Sequence, residues 1–130
     1  MTDESPNTEA GMAVRRAVLG DAHVDRAQAR TSEFTRPFQE YLTRAAWGEV
    51  WTRPGLDRRM RSAVTLALLT ALGCDEELAM HVRAAVRNGL TEAEISEVLL
   101  HTAPYSGIPK ANTAFAVAER VLAEISAGAE

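Results

Sequence analysis

The sequence contains a single cysteine, Cys74, among its 130 residues. One thiol cannot form an internal disulfide bond, and it cannot supply the several cysteine ligands of a structural zinc site. It also lacks a resolving partner for redox chemistry, so we interpret Cys74 as a small packed side chain. Disulfide-stabilised and multi-cysteine zinc folds are therefore excluded.

Positive charge and long apolar runs are also scarce. Lys110 is the only lysine, and 14 basic residues against 18 acidic ones leave a formal net charge of -4, which argues against a nucleic-acid partner. The longest apolar stretch, residues 63–74, contains two threonines and is too short to cross a bilayer. Residues 1–10 are polar, lack the layout of a signal peptide and are expected to be disordered. We therefore expect a cytoplasmic protein with no membrane partner.

What the sequence has in abundance is helical periodicity. It is 46% hydrophobic but only 5% aromatic, with alanine and leucine prominent, and these two residues enter a helix at little cost. Apolar residues recur at helical spacing, and no segment shows the alternation of a strand. A chain of this length can bury one core. The sequence predicts a compact all-α fold of six or seven helices, forming a single domain over residues 11–126.

Short, interrupted helices are predicted in the N-terminal half. One is expected over residues 12–19 and ends at Gly20, after which Asp21 is expected to cap a second. A third helix runs to about Trp47. Two glycines and a proline then predict that residues 47–55 form a loop.

Longer helices are predicted in the C-terminal half. The first covers residues 57–72, the next ends at residues 88–89, and residues 91–94 form a capping box for the one after, which Pro104 ends. The last helix follows a turn at residues 105–109. The apolar stripe expected to face the core from the first of these helices consists of Met60, Val64, Ala67, Leu68 and Ala71.

Glu77 and His81 are four residues apart on a predicted helix, so their side chains lie one turn from each other. A carboxylate next to an imidazole favours the protonated ring and fixes its orientation, which suits proton transfer. Acid-base pairs at this spacing are also common on helix surfaces. The spacing alone therefore leaves a catalytic pair and a surface pair both open.

The other two histidines give weaker indications. His101 is close in sequence to Tyr105, near the end of a helix, where a histidine also interacts favourably with the carbonyl end. His23, in a polar N-terminal helix, is expected to be solvated. Three scattered histidines without a closely spaced second ligand predict that there is no metal site.

Four arginines crowd the loop and first helical turns after Trp51. They are Arg53, Arg58, Arg59 and Arg61. Cations at a helix N-terminus oppose the macrodipole, so helix stability does not explain this placement, whereas a bound anion would. Surface pairing with Asp57 or Glu49 is the alternative.

Together these segments resemble the carboxymuconolactone decarboxylase family over residues 11–124. The residues that carry the resemblance are 14–20 (VRRAVLG), 46–59 (AWGEVWTRPGLDRR), 81–85 (HVRAA), 88–91 (NGLT) and 101–109 (HTAPYSGIP). The tryptophan-glycine segment that runs into paired arginines is the most specific of them. The resemblance implies the helical fold of the alkyl hydroperoxidase D superfamily.

One departure from that superfamily is informative. Its peroxidases carry two cysteines three residues apart, followed by a histidine; on this sequence Cys74 takes the first cysteine position, Glu77 the second and His81 the histidine. Without a second thiol the disulfide cycle cannot run, whereas an acid and a histidine suit proton chemistry.

The resemblance implies decarboxylation of an unsaturated dicarboxylate lactone in bacterial aromatic-acid breakdown, with no cofactor, because the lactone is its own electron sink. In this hypothesis His81, oriented by Glu77, delivers a proton, and His101 or Tyr105 donates to the lactone oxygen. Arg58 and Arg61, or Arg53, bind the acetate arm. The residues expected to shield the pocket from water are Trp47 and Trp51.

The family also implies a homo-oligomer, trimeric or hexameric. Two other functions stay open from the sequence. One is a peroxidase or other thiol oxidoreductase of the same superfamily. The other is a non-catalytic helical module that assembles through the tryptophan segment.

Overall fold

A computed structural model describes residues 6–128. Within that range the chain forms seven α-helices, one π-helical segment and no strand, as the all-α prediction requires. The elements are α1 (Pro6–Leu19), α2 (Asp21–Ala29), α3 (Arg36–Leu42), the π segment (Thr43–Val50), α4 (Arg58–Leu72), α5 (Asp75–Arg87), α6 (Glu92–Ser106) and α7 (Ile108–Ser126). None of the described helices is long and apolar enough to cross a membrane.

The helices belong to two compact units, one up to Asp57 and the other from Arg58 onward. The single domain expected over residues 11–126 stays a prediction. The disordered segment expected over residues 1–10 is wrong for residues 6–10, which form the first turns of α1. Residues 1–5 lie outside the described range.

Two glycines bring α1 and the π segment close together in the first unit. A Cβ on Gly11 would lie 2.8 Å from the amide nitrogen of Gly48 and closer still to the Thr43 carbonyl oxygen. A Cβ on Gly48 would lie 3.0 Å from the carbonyl carbon of Asn7 and closer to its oxygen. Only glycine permits this approach of two backbones.

That contact explains why the predicted loop at residues 47–55 is wrong in its first half. Trp47–Val50 complete the π segment, and the Trp51 amide donates to the Ala46 carbonyl at 3.0 Å, the five-residue spacing of a π-helix. Gly48 is thus a packing residue within a helix, although its sequence context resembles a turn.

The predicted cap of α2 is also wrong. Gly20 occupies the N-cap position, and Asp21, the first helical residue, accepts from Arg16 at 3.0 Å instead of capping the helix. A carboxylate at this position still complements the positive end of the helix dipole.

The second unit has one aliphatic core to which α4, α5, α6 and α7 all contribute. Its fully buried members include Leu66 from α4, Leu78 and Val82 from α5, Ile95 and Leu99 from α6, and Val121 from α7. α4 and α5 form an antiparallel pair, because a two-residue connection joins them and Asn88 Nδ2 donates to Ser62 Oγ at 2.8 Å across their far ends.

The face of α4 expected to be buried is largely the face exposed to solvent. Side chains of Met60, Val64, Leu68 and Leu72 are 51%, 45%, 56% and 70% exposed. The buried positions are Ser62, Leu66 and Thr70. α4 carries apolar residues on several sides, so periodicity alone did not identify the core face.

The capping box predicted at residues 91–94 is confirmed: Thr91 and Glu94 exchange side-chain and backbone hydrogen bonds at the start of α6. Pro104, by contrast, does not end that helix, which continues to Ser106. Because Pro104 lies in the last turn, its missing N–H removes only one helical hydrogen bond. Gly107, with φ of 106°, ends α6 and precedes α7.

Candidate active site

His81 is the only one of the three histidines that is buried. It lies in the middle of α5, is 8% exposed, and shares the inner face of that helix with Leu78 and Val82. Its Nδ1 is buried. An imidazole in this position is held by the packed core, which limits its rotation.

Glu77 precedes His81 by one helical turn and is exposed. A solvent-facing carboxylate thus precedes a buried imidazole by one turn. Glu77 also lies in the first turn of α5 with Asp75 and Glu76, where acidic side chains stabilise the helix dipole. Stabilisation of the helix dipole is thus sufficient to explain a carboxylate at position 77. The role of Glu77 in orienting His81 stays a prediction.

The arginine cluster divides into residues with different environments. Arg59 donates to the backbone carbonyl of Gly89 and to both carboxylate oxygens of Glu94, at 3.1 and 2.5 Å. The Arg59 guanidinium, helped by the Thr91 amide, holds the pKa of Glu94 at about 2, below its ordinary 4.5. Arg59 therefore stabilises the fold, through a partner that the sequence did not indicate.

Arg58 and Arg61 flank this structural residue on α4. Arg58 is exposed, and Arg61 is half-buried with its Nε buried. Both lie in the first two turns of α4, whose partner α5 carries His81. Their assignment to a substrate carboxylate stays a prediction.

His101 and Tyr105 stack on each other along α6. Their ring centroids are 5.4 Å apart and the planes make an angle of 29°. Both rings are exposed, Tyr105 by 81%. They present a paired donor surface to solvent at the C-terminal end of α6.

The remaining predicted site residues, Trp47, Trp51 and Arg53, belong to the first unit. Trp47 is 6% exposed, and its ring lies 5.0 Å from that of Trp51, tilted by 36°. Arg53 is exposed in the irregular segment that follows the π segment. The tryptophan pair therefore contributes to the core of its own unit, and its predicted role in shielding a pocket stays a prediction.

A groove of about 610 Å³ lies between α6 and α7, and it contains none of the predicted site residues. Among residues 6–128, no three histidine, cysteine, aspartate or glutamate side chains are grouped so that they could hold a metal ion. Cys74 is half-buried just before α5.

Two basic side chains in the first unit have environments that the sequence analysis missed. His23 is half-buried rather than solvated, and its pKa is lowered by burial and by nearby arginines, including Arg15. Arg15 itself is only 6% exposed. The signal was its spacing, since it lies four residues after Gly11 and three before Val18, both buried on the inner face of α1.

Comparison with known proteins gives a consistent set of relatives. Residues 36–120 match the sequence model of the carboxymuconolactone decarboxylase family. The chain is 45% identical to 4-carboxymuconolactone decarboxylase of Acinetobacter baylyi over all 130 residues, which covers 96% of that protein. It is 46% identical over 112 residues to nitrosuccinic acid decarboxylase of Metarhizium robertsii, covering 86% of this chain and 78% of that one.

A shorter match is 55% identical over 47 residues to 4-carboxymuconolactone decarboxylase of Pseudomonas putida, covering 36% of this chain and 98% of that sequence. The relatives with assigned activities in these matches are all decarboxylases. The family model and the full-length similarity agree with the all-helical structure. This chain belongs to the carboxymuconolactone decarboxylase family.

Proposed function

We propose that this protein decarboxylates 4-carboxymuconolactone to the enol-lactone of 3-oxoadipate, in the protocatechuate branch of the β-ketoadipate pathway. The observation that carries the proposal is the 45% identity to the Acinetobacter decarboxylase, which extends over the whole chain. We place the reaction in the cytoplasm, where the sequence analysis expects the protein.

The substrate supplies its own electron sink. The bond between the ring carbon and the departing carboxylate breaks, and its electron pair moves through the ring double bond onto the lactone carbonyl oxygen. This gives CO2 and a dienolate, and a proton then adds to the ring carbon alpha to the carbonyl. The protein must bind a dianion, stabilise the developing oxyanion and deliver one proton.

His81 is the proton donor in this mechanism, and Glu77 is its positioning residue. The burial of His81 supports the assignment, because a side chain locked by packing holds its proton in a defined place. Glu77 is exposed one turn away from His81. When bound substrate shields the Glu77 carboxylate from solvent, this carboxylate orients the imidazole.

Arg58 and Arg61 bind the acetate arm of the lactone, with Arg53 as the alternative. Their guanidinium groups offer the planar pair of donors that a carboxylate accepts. Neutralising the acetate arm rather than the departing carboxylate leaves the scissile bond free to release its electrons. The donor to the lactone oxygen is His101 or Tyr105, which the structure stacks together.

We also propose a homo-oligomer, trimeric or hexameric, with a second copy of this chain packed on α4. Four aliphatic side chains at four-residue intervals, Met60, Val64, Leu68 and Leu72, form an exposed apolar stripe. The stripe extends over about 18 Å at the helical rise per residue. It is free of charged side chains. Contact with the same stripe of a symmetry-related copy would therefore bury aliphatic surface without burying an unpaired charge.

A second candidate substrate is nitrosuccinic acid, because the Metarhizium relative is as similar in identity over most of its length. The chemistry is of the same class: both compounds carry two carboxylates and a group that accepts the electron pair when CO2 leaves. The two substrates therefore make the same demands on arginines and on a proton donor.

The test is a direct comparison of kcat/KM for the two compounds, with CO2 release and ultraviolet absorbance as independent readouts. We expect 4-carboxymuconolactone to be preferred. A preference for nitrosuccinic acid would reassign the substrate, and no turnover of either would overturn the proposal. Thiol-dependent reduction of peroxide, lost in Cys74→Ser, would instead favour the peroxidase alternative.

A further inference from the structure

Arg15 is a buried cation whose hydrogen-bond acceptors carry no charge. It lies on α1, is 6% exposed, and donates to Thr43 Oγ1 and Gln39 Oε1, both at 3.3 Å. Its Nε is buried and has no hydrogen-bond acceptor among residues 6–128. Both existing bonds are long for donors of a charged group, which usually bond at shorter distances.

The neighbouring Arg16 shows the contrast. It is more exposed, yet it forms ion pairs with Asp21 at 3.0 Å and with Asp25 at 2.9 Å. Burial, and then the charge of Arg16, lower the pKa of Arg15, but a guanidinium stays protonated in proteins. A buried charge without a counter-charge is costly, because its lost hydration is not replaced. An anion bound beside Arg15 would offset that cost.

A cavity of about 290 Å³ provides room for such an anion. Arg15 and both of its acceptors, Gln39 and Thr43, line it. The other charged groups among its described lining residues are a second guanidinium, that of Arg36, and one carboxylate, that of Glu40. The other lining residues are Thr8, Met12, Gln28 and Thr31. Among the described residues that line it, the cavity therefore has two cations, one buried and one exposed, against a single carboxylate.

We propose that this cavity binds a small aliphatic dicarboxylate, with one carboxylate against the guanidinium of Arg15 and the other towards Arg36. The planar fork of a guanidinium matches the two oxygens of a carboxylate, which favours this class of anion. The ligand supplies a counter-charge beside Arg15, whose own hydrogen bonds go to the neutral side chains of Thr43 and Gln39. The role is additional to the proposed decarboxylation, whose mechanism uses neither arginine.

The direct test is calorimetric titration of the purified full chain with succinate at constant ionic strength, with neutral succinamide as the control ligand. We expect succinate to bind and succinamide not to bind. Arg15→Lys, which keeps the charge but removes the fork, should weaken binding at least about tenfold, the size expected for the loss of a hydrogen bond between charged groups. Arg30→Gln, an exposed arginine outside the cavity, should leave it unchanged.

Two further variants keep the test valid if replacement of Arg15 prevents folding. Arg36→Gln should weaken succinate binding about two- to fivefold, the size of an exposed charge pair. Glu40→Gln, which removes the one negative charge among the described residues that line the cavity, should tighten succinate binding by a similar factor. A purely structural role for these residues would not produce opposite changes in affinity.

Nuclear magnetic resonance gives an independent readout at the guanidinium of Arg15. The Nε–H signal of Arg15, assigned by its loss in Arg15→Lys, should shift on addition of succinate and stay in place with succinamide. Absence of succinate binding, or binding indifferent to Arg36→Gln and Glu40→Gln, would overturn the proposal. Equal affinity for inorganic phosphate would overturn the assignment to carboxylates.

Discussion

Arg59, in the first turn of α4, binds the carboxylate of Glu94, the residue that closes the capping box of α6. The same carboxylate accepts from the Thr91 amide at 2.9 Å. The Glu94 side chain thus caps α6 and also links α6 to α4 through Arg59. This interaction, rather than substrate binding, explains the position of Arg59 within the arginine cluster.

Replacing Glu94 by glutamine should reduce the free energy of unfolding at pH 7, with Glu92→Gln as the matched exposed control. The folded pKa of Glu94 is about 2 against an ordinary 4.5, so the carboxylate stabilises the fold fully above pH 4.5. This contribution is lost as the pH falls from 4.5 towards 2. Urea unfolding measured across that range should show the difference between wild type and Glu94→Gln shrinking. A constant difference would contradict the account.

The sequence predicted the capping box but not the Arg59 partner, for a physical reason. Residues 91–94 interact locally, so their spacing is sufficient, whereas Arg59 and Glu94 meet only because α4 packs beside α6. The prediction of which face of α4 is buried was wrong for a related reason. Ser62 and Thr70 can be buried because their hydroxyls are satisfied, Thr70 by the Leu66 carbonyl at 2.8 Å.

The candidate site shows the same division between local and long-range information. The burial of His81 follows from its position between the apolar Leu78 and Val82 on α5, and a periodic pattern contains that information. The stacking of His101 on Tyr105 also follows from helical spacing. The burial of Arg15 had a signal in its spacing from Gly11 and Val18 on α1. The role of Gly48 could not be predicted, because it depends on which helix packs against the π segment.

Replacing Gly48 by alanine should destabilise the protein by about 1–3 kcal/mol, the range for overpacking a tight contact. The added methyl would press on the Asn7 backbone, which cannot move aside as a flexible side chain would. Gly55→Ala is the matched control, because a Cβ there meets nothing within 4 Å. Denaturant unfolding should separate the two variants. Equal stability would contradict the close packing of α1 on the π segment.

The role proposed for Glu77 is separable from its helix-stabilising position. Glu77→Gln should lower kcat about 10- to 100-fold, by analogy with the loss of a carboxylate that orients a metal-bound histidine. Glu76→Gln changes the neighbouring exposed carboxylate of the same first turn and should leave kcat near that of wild type. Steady-state assays with 4-carboxymuconolactone would decide. Equal effects of both variants on kcat would mean that Glu77 acts only as a charge at the start of α5 and does not orient His81.

The apolar stripe on α4 predicts a concentration-dependent assembly. Wild type should sediment at three or six times the 14.1 kDa of one chain, and Leu68→Glu should shift it to smaller species. Phe34→Ser removes a side chain that is 93% exposed elsewhere in the chain, and it should not change the assembly. Analytical ultracentrifugation measures all three. A wild-type monomer, or a Leu68→Glu protein that assembles normally, would contradict the proposed interface.

We propose that the buried imidazole of His81 delivers the proton that completes decarboxylation. The most direct test of this proposal is kcat of His81→Ala with 4-carboxymuconolactone, beside His23→Gln as a histidine control in the other unit. We predict a loss of about 10²- to 10⁴-fold for His81→Ala, the contribution of a general acid, and near-normal kcat for His23→Gln. Turnover by a folded His81→Ala protein within a few-fold of wild type would contradict the account.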